Sequence, residues 1–291
     1  MLVAPEQLAL YIFLGEKEML EYSDWQGYKV SFDGDLFHIC SPWQVKGVPV
    51  FGPDSDYTTL AISLFDLIKS KDVLIDTLSP NDSNIDLQVL KVATGIEEIS
   101  EDSEWKLFCH EFASLSISKK SEVTISKPSG LTEIDPDKYE QMNLAWETET
   151  ALVNVSQGAY ISSQQYSESL NSRLNLMAQF EDKAIWPPRQ LNNDGSIIDE
   201  PGIKLKKTCL IESWTKLSAA GAPSEFSIRA PILDGISTAY VLFSEGTRGV
   251  FLLTDDEKST PAIGLSGEIV IRRIYSQEGQ MRYGTKVRIL N

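Results

Sequence analysis

Carboxylates are plentiful in this chain but form no recognisable pair, and the histidines and cysteines that could carry acid–base or nucleophilic chemistry are few. The chain holds two histidines, His38 and His110, and three cysteines, of which Cys109 directly precedes His110. A thiolate nucleophile needs a lowered pKa and a general base within reach. Adjacent side chains on a helix point about 100° apart, so His110 is poorly placed to serve Cys109 as that base. Packing of Cys109 in the core is the competing interpretation.

A metal site is not predicted. His38 and Cys40 alternate with Phe37 and Ile39 in a predicted strand, so their side chains point to one face. Zinc needs four nitrogen or sulfur ligands, and no further His or Cys lies near them in the sequence. The chain also lacks a Gly-rich phosphate loop, a Ser elbow and a His-x-x-x-His pair.

Arginine side chains offer a different chemistry, the binding of anions. Every Arg lies after residue 155, and Arg272 and Arg273 are neighbours in a predicted strand, so one points inward and the other outward. Guanidinium forks suit phosphates, and aromatic faces suit a purine base. The competing interpretation is that these arginines guard strand edges against aggregation. The candidate binding residues are Trp186, Arg189, Trp214, Arg248, Arg272, Arg273 and Arg282.

Several predicted elements position these residues in the first half of the chain. A hairpin surrounds Asp33-Gly34-Asp35, and Pro53-Asp54-Ser55-Asp56 caps a helix over 57–69. A strand over 73–78, a helical or buried stretch over 85–94 and a strand over 122–126 follow. This alternation predicts a mixed α/β domain over residues 1–155, which begins with an amphipathic helix at Glu6–Leu20.

Two further segments complete the predicted fold. Residues 160–180 have a helical pattern, with a break near 167–172, and belong to a helical segment over 156–204. Residues 205–291 contain five β-branched or aromatic runs bounded by turn residues, the number of a small closed barrel of the OB type. The predicted fold class is therefore α+β, with a C-terminal five-stranded OB-type barrel. The five runs are Lys207–Leu217, Thr238–Phe243, Gly249–Leu253, Gly267–Tyr275 and Lys286–Leu290.

The order of motifs from residue 160 to the end resembles the zinc-ribbon and OB-fold acyl-CoA-associated proteins. The shared pattern runs from Ile185-Trp186-Pro187-Pro188-Arg189 through Ser213-Trp214-Thr215 to Ile271-Arg272-Arg273 and the closing Arg282-Tyr283-Gly284. Family members usually hold zinc through two Cys pairs around Pro-Pro-Arg, and here neither flank contains a Cys. The ribbon is therefore predicted to be degenerate and free of metal.

The resemblance implies a function. Such proteins are partners of thiolases and hydroxymethylglutaryl-CoA synthases, so we expect a non-catalytic scaffold subunit that binds such an enzyme and helps hold acyl-CoA. A fainter resemblance of the first half to the hydroxymethylglutaryl-CoA synthase fold places Cys109 where that family has its nucleophile. This gives the alternative of a thiolase-superfamily acyltransferase or a degenerate thiolase-like half domain. An OB barrel would also allow single-stranded nucleic acid as a ligand.

Charge and composition bear on these alternatives. The net charge is −16, and residues 1–155 hold 11 basic and 27 acidic side chains, whereas the rest holds 15 of each. An acidic half repels phosphates, which argues against nucleic acid. Unpaired cysteines, no apolar run of 18 residues and no basic, apolar-cored leader predict a cytoplasmic protein without a membrane segment.

Overall fold

The structure is a computed structural model. It describes residues 21–80, 84–120, 123, 125, 127–153, 162–189, 191, 194–196, 202–256 and 260–290. The helix predicted over Glu6–Leu20 and most of the strand predicted over 122–126 lie outside the described residues.

Ten strands and three helices occupy the described residues up to 150. The strands are β1 (Ser23–Trp25), β2 (Tyr28–Asp33), β3 (Leu36–Cys40), β4 (Trp43–Val45), β5 (Val48–Val50), β6 (Thr77–Pro80), β7 (Glu98–Ile99), β8 (Lys106–His110), β9 (Ser114–Ser118) and β10 (Thr132–Glu133). The helices are α1 (Tyr57–Ser70), α2 (Leu87–Thr94) and α3 (Pro136–Thr150).

A seven-stranded sheet in the order β1-β2-β3-β9-β8-β6-β7 forms the centre of this half. Its first five strands are antiparallel, and β6 pairs in parallel with β8 and β7. The predicted hairpin β2–β3 is confirmed, and so is the capped helix α1. Asp56 accepts a hydrogen bond from the Thr59 backbone while the Thr59 hydroxyl accepts one from the Asp56 backbone. The buried side of α1 packs on the sheet through Leu60, Leu64 and Ile68.

Later elements begin with one helix and a small sheet. They are α4 (Ser163–Leu174), β11 (Met177–Phe180), β12 (Ala184–Ile185) and β13 (Ile203–Lys204), and the three strands pair in the order β12-β11-β13. The prediction of a helix broken near 167–172 is wrong. Ser162 caps an unbroken α4, and the Ser169 hydroxyl donates a hydrogen bond to the Gln165 carbonyl within the helix. The helical prediction also extended too far, because Met177–Phe180 is a strand.

A closed barrel forms the C-terminal part, so the predicted five strands and the α+β class are confirmed. The strands are β14 (Thr208–Leu217), β15 (Ile236–Phe243), β16 (Arg248–Leu253), β17 (Ser266–Gln277) and β18 (Gln280–Ile289). Their order is β14-β15-β16-β18-β17, with β17 returning to β14 and β16 running parallel to β18. Val241, Ile269 and Val287 fill the interior. The predicted boundaries after residues 155 and 204 stay predictions.

The two halves share a core rather than meeting through a linker. The outer ends of β17 and β18 continue past the barrel, where Ile271 and Tyr283 join the hydrophobic core of the sheet domain. The Tyr283 hydroxyl donates to Asp56 at 2.7 Å, at the start of α1. Helices α3 and α4 pack on β17 and β18 respectively. No helix of the described ranges has the length and apolar content needed to cross a bilayer.

Candidate functional site

Five charged residues meet where α1 begins and the barrel strands leave the barrel: Asp54, Asp255, Asp256, Arg272 and Lys286. We call this group the junction cluster. The Lys286 ammonium lies 2.8 Å from Asp54 Oδ2 and 2.6 Å from Asp255 Oδ2. Arg272 Nε lies 3.0 Å from Asp256 Oδ2. Four of the five side chains are 2% exposed or less. The cluster therefore joins segments about two hundred residues apart in a dry environment.

The junction cluster contains three carboxyl groups and two cationic groups. The pKa values of two of the carboxyl groups, Asp54 and Asp256, are shifted in opposite directions. Burial raises the pKa of Asp256, and the charge of Asp54 raises it further. Burial also raises the pKa of Asp54, but the Lys286 ammonium and the Arg272 guanidinium outweigh it, and the pKa lies below its ordinary value. We therefore assign the negative charge to Asp54 and the proton to Asp256.

The Arg272 guanidinium makes several contacts in and around the junction cluster. Besides Asp256, its guanidinium donates to the Gln26 carbonyl at 2.6 Å and lies 4.4 Å from the centre of the Tyr28 ring. Burial raises the pKa of Tyr28, so the phenol stays neutral. Its hydroxyl is bonded to Ser55 at 2.9 Å. The structure thus places the predicted binding residue Arg272 between the two halves, away from the surface.

Arg273 points the other way, toward α3, as expected for neighbours on a strand. Its guanidinium lies 4.3 Å from the centre of the Trp146 ring, and Arg229 lies 3.9 Å from that ring. Arg229 is paired with the buried Glu149 at 2.7 Å. Arg273 has a weaker set of contacts, one hydrogen bond of 3.4 Å to the Pro53 carbonyl and an unpartnered Nε among the described residues.

Beside Arg273 lies an open groove of about 400 Å³, which we call the α3 groove. Its walls are mostly apolar, and it runs between the end of α3 and the β17–β18 hairpin. A cation held against an indole at the floor of an open groove can receive an anionic group attached to an apolar chain. The residues that line it are Trp146, Glu147, Thr150, Ala151, Arg273 and Met281.

The barrel has an exposed apolar surface on β14, β15 and β16. Register pairs Leu210 with Leu242 and Tyr240 with Val250, so these four side chains lie on one side of the sheet. Val250 is 68% exposed, Leu210 41% and Tyr240 39%. We call these four residues the outer face. Beside them a two-pronged ion pair joins Arg248 to Glu212, with N–O distances of 2.7 and 3.0 Å.

The remaining predicted binding residues lie apart from both surfaces. Trp186 stacks near Phe251, with ring centres 6.2 Å apart, over the barrel mouth. Arg189 is exposed and lies 3.6 Å from Glu181. Trp214 is exposed on β14, where β17 no longer pairs with that strand. None of the pockets described for this structure is lined by two of the seven predicted residues, and even the strand neighbours Arg272 and Arg273 point to opposite sides.

Arg282 occupies a separate position at the far end of the β17–β18 hairpin. It is 1% exposed, and its guanidinium lies 4.5 Å from the centre of the Tyr166 ring on α4. None of its three nitrogens has a hydrogen-bond partner in the part of the chain that the structure describes.

Cys109 lies on a strand rather than a helix, in the hairpin β8–β9. Consecutive strand side chains alternate, so Cys109 and His110 point to opposite faces of the sheet. His110 Nε2 is 2.7 Å from the Ser116 hydroxyl, and its ring centre is 6.3 Å from that of His38. Burial lowers the pKa of His38 to about 3, with a further contribution from His110. Within the described residues no group of three or more metal-ligating side chains forms.

Comparison with known proteins identifies no family. No family model matches the chain, and no curated protein sequence matches it. A solved structure titled "Ltp2-ChsH2(DUF35) aldolase" is similar over 36% of this chain and 76% of its own, at 16% sequence identity and a TM-score of 0.26. A likeness at that score carries no argument about function.

Sequence reasoning missed the partners of the arginines. Asp54 was visible only as part of a helix cap, and Asp255-Asp256 only as a turn after a strand. Their pairing with Arg272 and Lys286 depends on tertiary folding. The one available signal was composition: two adjacent arginines in a strand flanked by isoleucines must find acids or anions once buried.

Proposed function

We propose that this protein is a non-catalytic accessory subunit of an acyl-CoA-handling complex. The outer face docks on a thiolase or hydroxymethylglutaryl-CoA synthase-like enzyme, and the α3 groove receives part of the acyl-CoA. The observation that carries the proposal is the exposed, register-aligned apolar surface of the outer face. The class of the partner comes from the resemblance of the C-terminal motifs.

The outer face has the composition of a protein-binding surface. Exposed apolar side chains scattered singly are ordinary, but here they are cross-strand neighbours. Tyrosine is among the residues that most often carry binding energy at interfaces. The adjacent Arg248–Glu212 pair supplies a polar edge that would fix orientation rather than affinity. Tyr240 is the central anchor in this proposal.

The α3 groove supports the coenzyme part of the proposal. Its volume of about 400 Å³ falls in the usual range of small-molecule sites, roughly 300–1,000 Å³. Arg273 lines the groove and offers its guanidinium to a phosphate, and Met281 and Trp146 offer apolar contact to a pantetheine arm. Of the seven residues predicted to bind the coenzyme, the proposal therefore retains only Arg273.

The two alternatives have less support. For an acyltransferase, the general base would have to come from outside the pair Cys109 and His110, because their side chains point to opposite faces. For nucleic acid, a row of free basic side chains is needed. Arg229, Arg248, Arg272 and Arg288 are each paired with a carboxylate of the same chain instead.

A site-specific photo-crosslinker tests the docking proposal. It is placed at Tyr240 and, as the matched control, at Leu74, which is 82% exposed in the sheet domain. Crosslinked proteins from the native cell are identified by mass spectrometry. We expect a thiolase-superfamily enzyme to be crosslinked from position 240 and absent from position 74. Equal recovery from both positions, or recovery only of unrelated proteins, would contradict the proposal.

A further inference from the structure

The β17–β18 hairpin carries a second polar face, opposite the side that lines the α3 groove. Register pairs Tyr275 with Arg282 and Gln277 with Gln280, so these four side chains lie on one face. Met281, which lines the α3 groove, alternates with them and points the other way. Helix α4 covers this face, and the Ser163 hydroxyl donates to Gln280 at 2.7 Å.

Arg282 on this face is buried with no ion-pair partner among the described residues. Its side chain is 1% exposed, and none of Nε, Nη1 and Nη2 has a hydrogen-bond partner within the described residues. A guanidinium stays charged at any physiological pH, so it cannot lower the cost of burial by losing a proton. Its contact with the Tyr166 ring at 4.5 Å offsets only part of the cost of burying an unpaired ion.

Gln277 repeats the pattern on the neighbouring strand. It is 1% exposed, and neither its amide nitrogen nor its carbonyl oxygen has a partner in the described part of the chain. Gln277 and Arg282 are diagonal neighbours across the two strands. Diagonal side chains lie within about 7–8 Å of each other at their bases, close enough for both to reach one small group. Two unsatisfied donors therefore lie on the same face of the hairpin, as diagonal neighbours on adjacent strands.

A second arginine, Arg173, lies near this face of the hairpin. Burial raises the pKa of the Tyr275 phenol, and the charges of Arg282 and Arg173 act against it, so both guanidiniums lie near that ring. Glu225, in the short helical turn Ser224–Phe226, acts on the same phenol from the other direction. Glu225 is therefore one described acid that could compete for Arg282, and Asp86, which acts on the neighbouring Tyr166 phenol, is another.

We propose that this face of the hairpin holds a small oxyanion, a phosphate or carboxylate group, between the guanidinium of Arg282 and the carboxamide of Gln277. An oxyanion accepts from two guanidinium nitrogens and from the amide nitrogen at once, which satisfies the donors that the chain leaves open. The site lies on the opposite face of the hairpin from the α3 groove, so it goes beyond the coenzyme contact proposed there.

The test measures thermal unfolding and binding heat of the full chain with inorganic phosphate and, separately, with acetate, against chloride at equal ionic strength. The variants are Arg282→Met and Gln277→Leu, and Arg288→Met is the control because Arg288 is paired with Glu268 on the barrel. We expect one of the two anions to raise the melting temperature saturably by a few degrees, about 2–4 °C for each kcal/mol of binding. In Arg282→Met and Gln277→Leu the anion should bind at least about tenfold more weakly, and in the control it should bind as in the wild type.

Three outcomes would overturn the proposal. The first is that neither anion changes the melting temperature of the wild type saturably. The second is that the change persists in both Arg282→Met and Gln277→Leu. The third is that the wild type binds no phosphate but Glu225→Gln does. The last result would mean that Glu225 occupies Arg282 in solution. If Arg282→Met does not fold, Gln277→Leu gives the same reading. If coenzyme A competes with the bound anion, the natural ligand of the site is a phosphate of the coenzyme. If coenzyme A does not compete, the natural ligand is a free anion.

Discussion

Two buried arginines on the same strand pair have opposite surroundings. Arg272 and Arg282 are each 1% exposed, and each lies against a tyrosine ring at about the same distance, 4.4 and 4.5 Å. Arg272 contacts Asp256 and a backbone carbonyl, whereas Arg282 has no hydrogen-bond partner among the described residues. Burial and aromatic contact are therefore the same for both arginines. The two differ in whether a carboxyl group from another segment lies within hydrogen-bond distance of the guanidinium.

The difference follows from the path of the chain. The loop before α1 and the turn after β16 both end at the point where β17 and β18 leave the barrel, and they bring Asp54, Asp255 and Asp256 to that point. Neither segment reaches the far end of the hairpin, where α4 offers serine and tyrosine instead. The charged groups at the junction are thus paired within the chain. At the hairpin end, the side-chain donors of Arg282 and Gln277 have no hydrogen-bond partner among the described residues.

Loss of the central acid should have the largest effect. Asp54→Ala leaves the Lys286 ammonium facing Asp255 alone and removes the acceptor of the Asp255 backbone N–H. Breaking a buried ion pair from one side costs about 3–5 kcal/mol of unfolding free energy. Urea unfolding followed by tryptophan fluorescence measures it. The matched control is Asp24→Ala, whose pair with Lys29 is exposed, and an equal loss in both variants would contradict the dry junction.

The α3 groove tests whether an incompletely paired arginine binds ligand. Arg273→Ala should weaken coenzyme A binding by about 1.5–3 kcal/mol, the scale of a hydrogen bond to a charged group. Calorimetric titration of the full chain gives the dissociation constant. Arg248→Ala, on the barrel surface, should leave it unchanged. If the two variants bind coenzyme A equally, the ligand does not contact Arg273 in the groove.

The junction should also show a pH dependence of defined sign. Because the pKa of Asp256 is raised in the folded state, its contribution to stability is present below its unfolded pKa and is lost as the pH rises through the folded pKa. Asp256→Asn removes this titration, so its unfolding free energy should fall less between acid and neutral pH than that of the wild type. The difference is about 1.4 kcal/mol for each tenfold change in proton affinity. Parallel pH profiles would contradict the assignment of the proton to Asp256.

Local signals predicted much of this fold, and non-local pairing set the rest. Alternating β-branched runs and turn residues were enough for the barrel, and Asp56 was enough for the start of α1. The helix α4 was harder because its polar face is serine and glutamine, which also favour turns. The stretch around Cys109 forms a hairpin because β9 pairs with both β3 and β8. That pairing, like the junction cluster, depends on segments far apart in the sequence.

The most direct test compares the two arginines in one experiment. Arg272→Met and Arg282→Met replace each guanidinium by an apolar side chain, and the unfolding free energy of both is measured by urea titration in buffer without phosphate or carboxylate. The account predicts that Arg272→Met loses about 3–5 kcal/mol because it removes a buried cation beside the charged Asp54 and leaves Asp256 and the Gln26 carbonyl without their donor. It predicts that Arg282→Met is as stable as the wild type or more stable, because no ion pair is broken. Equal losses in the two variants would contradict it.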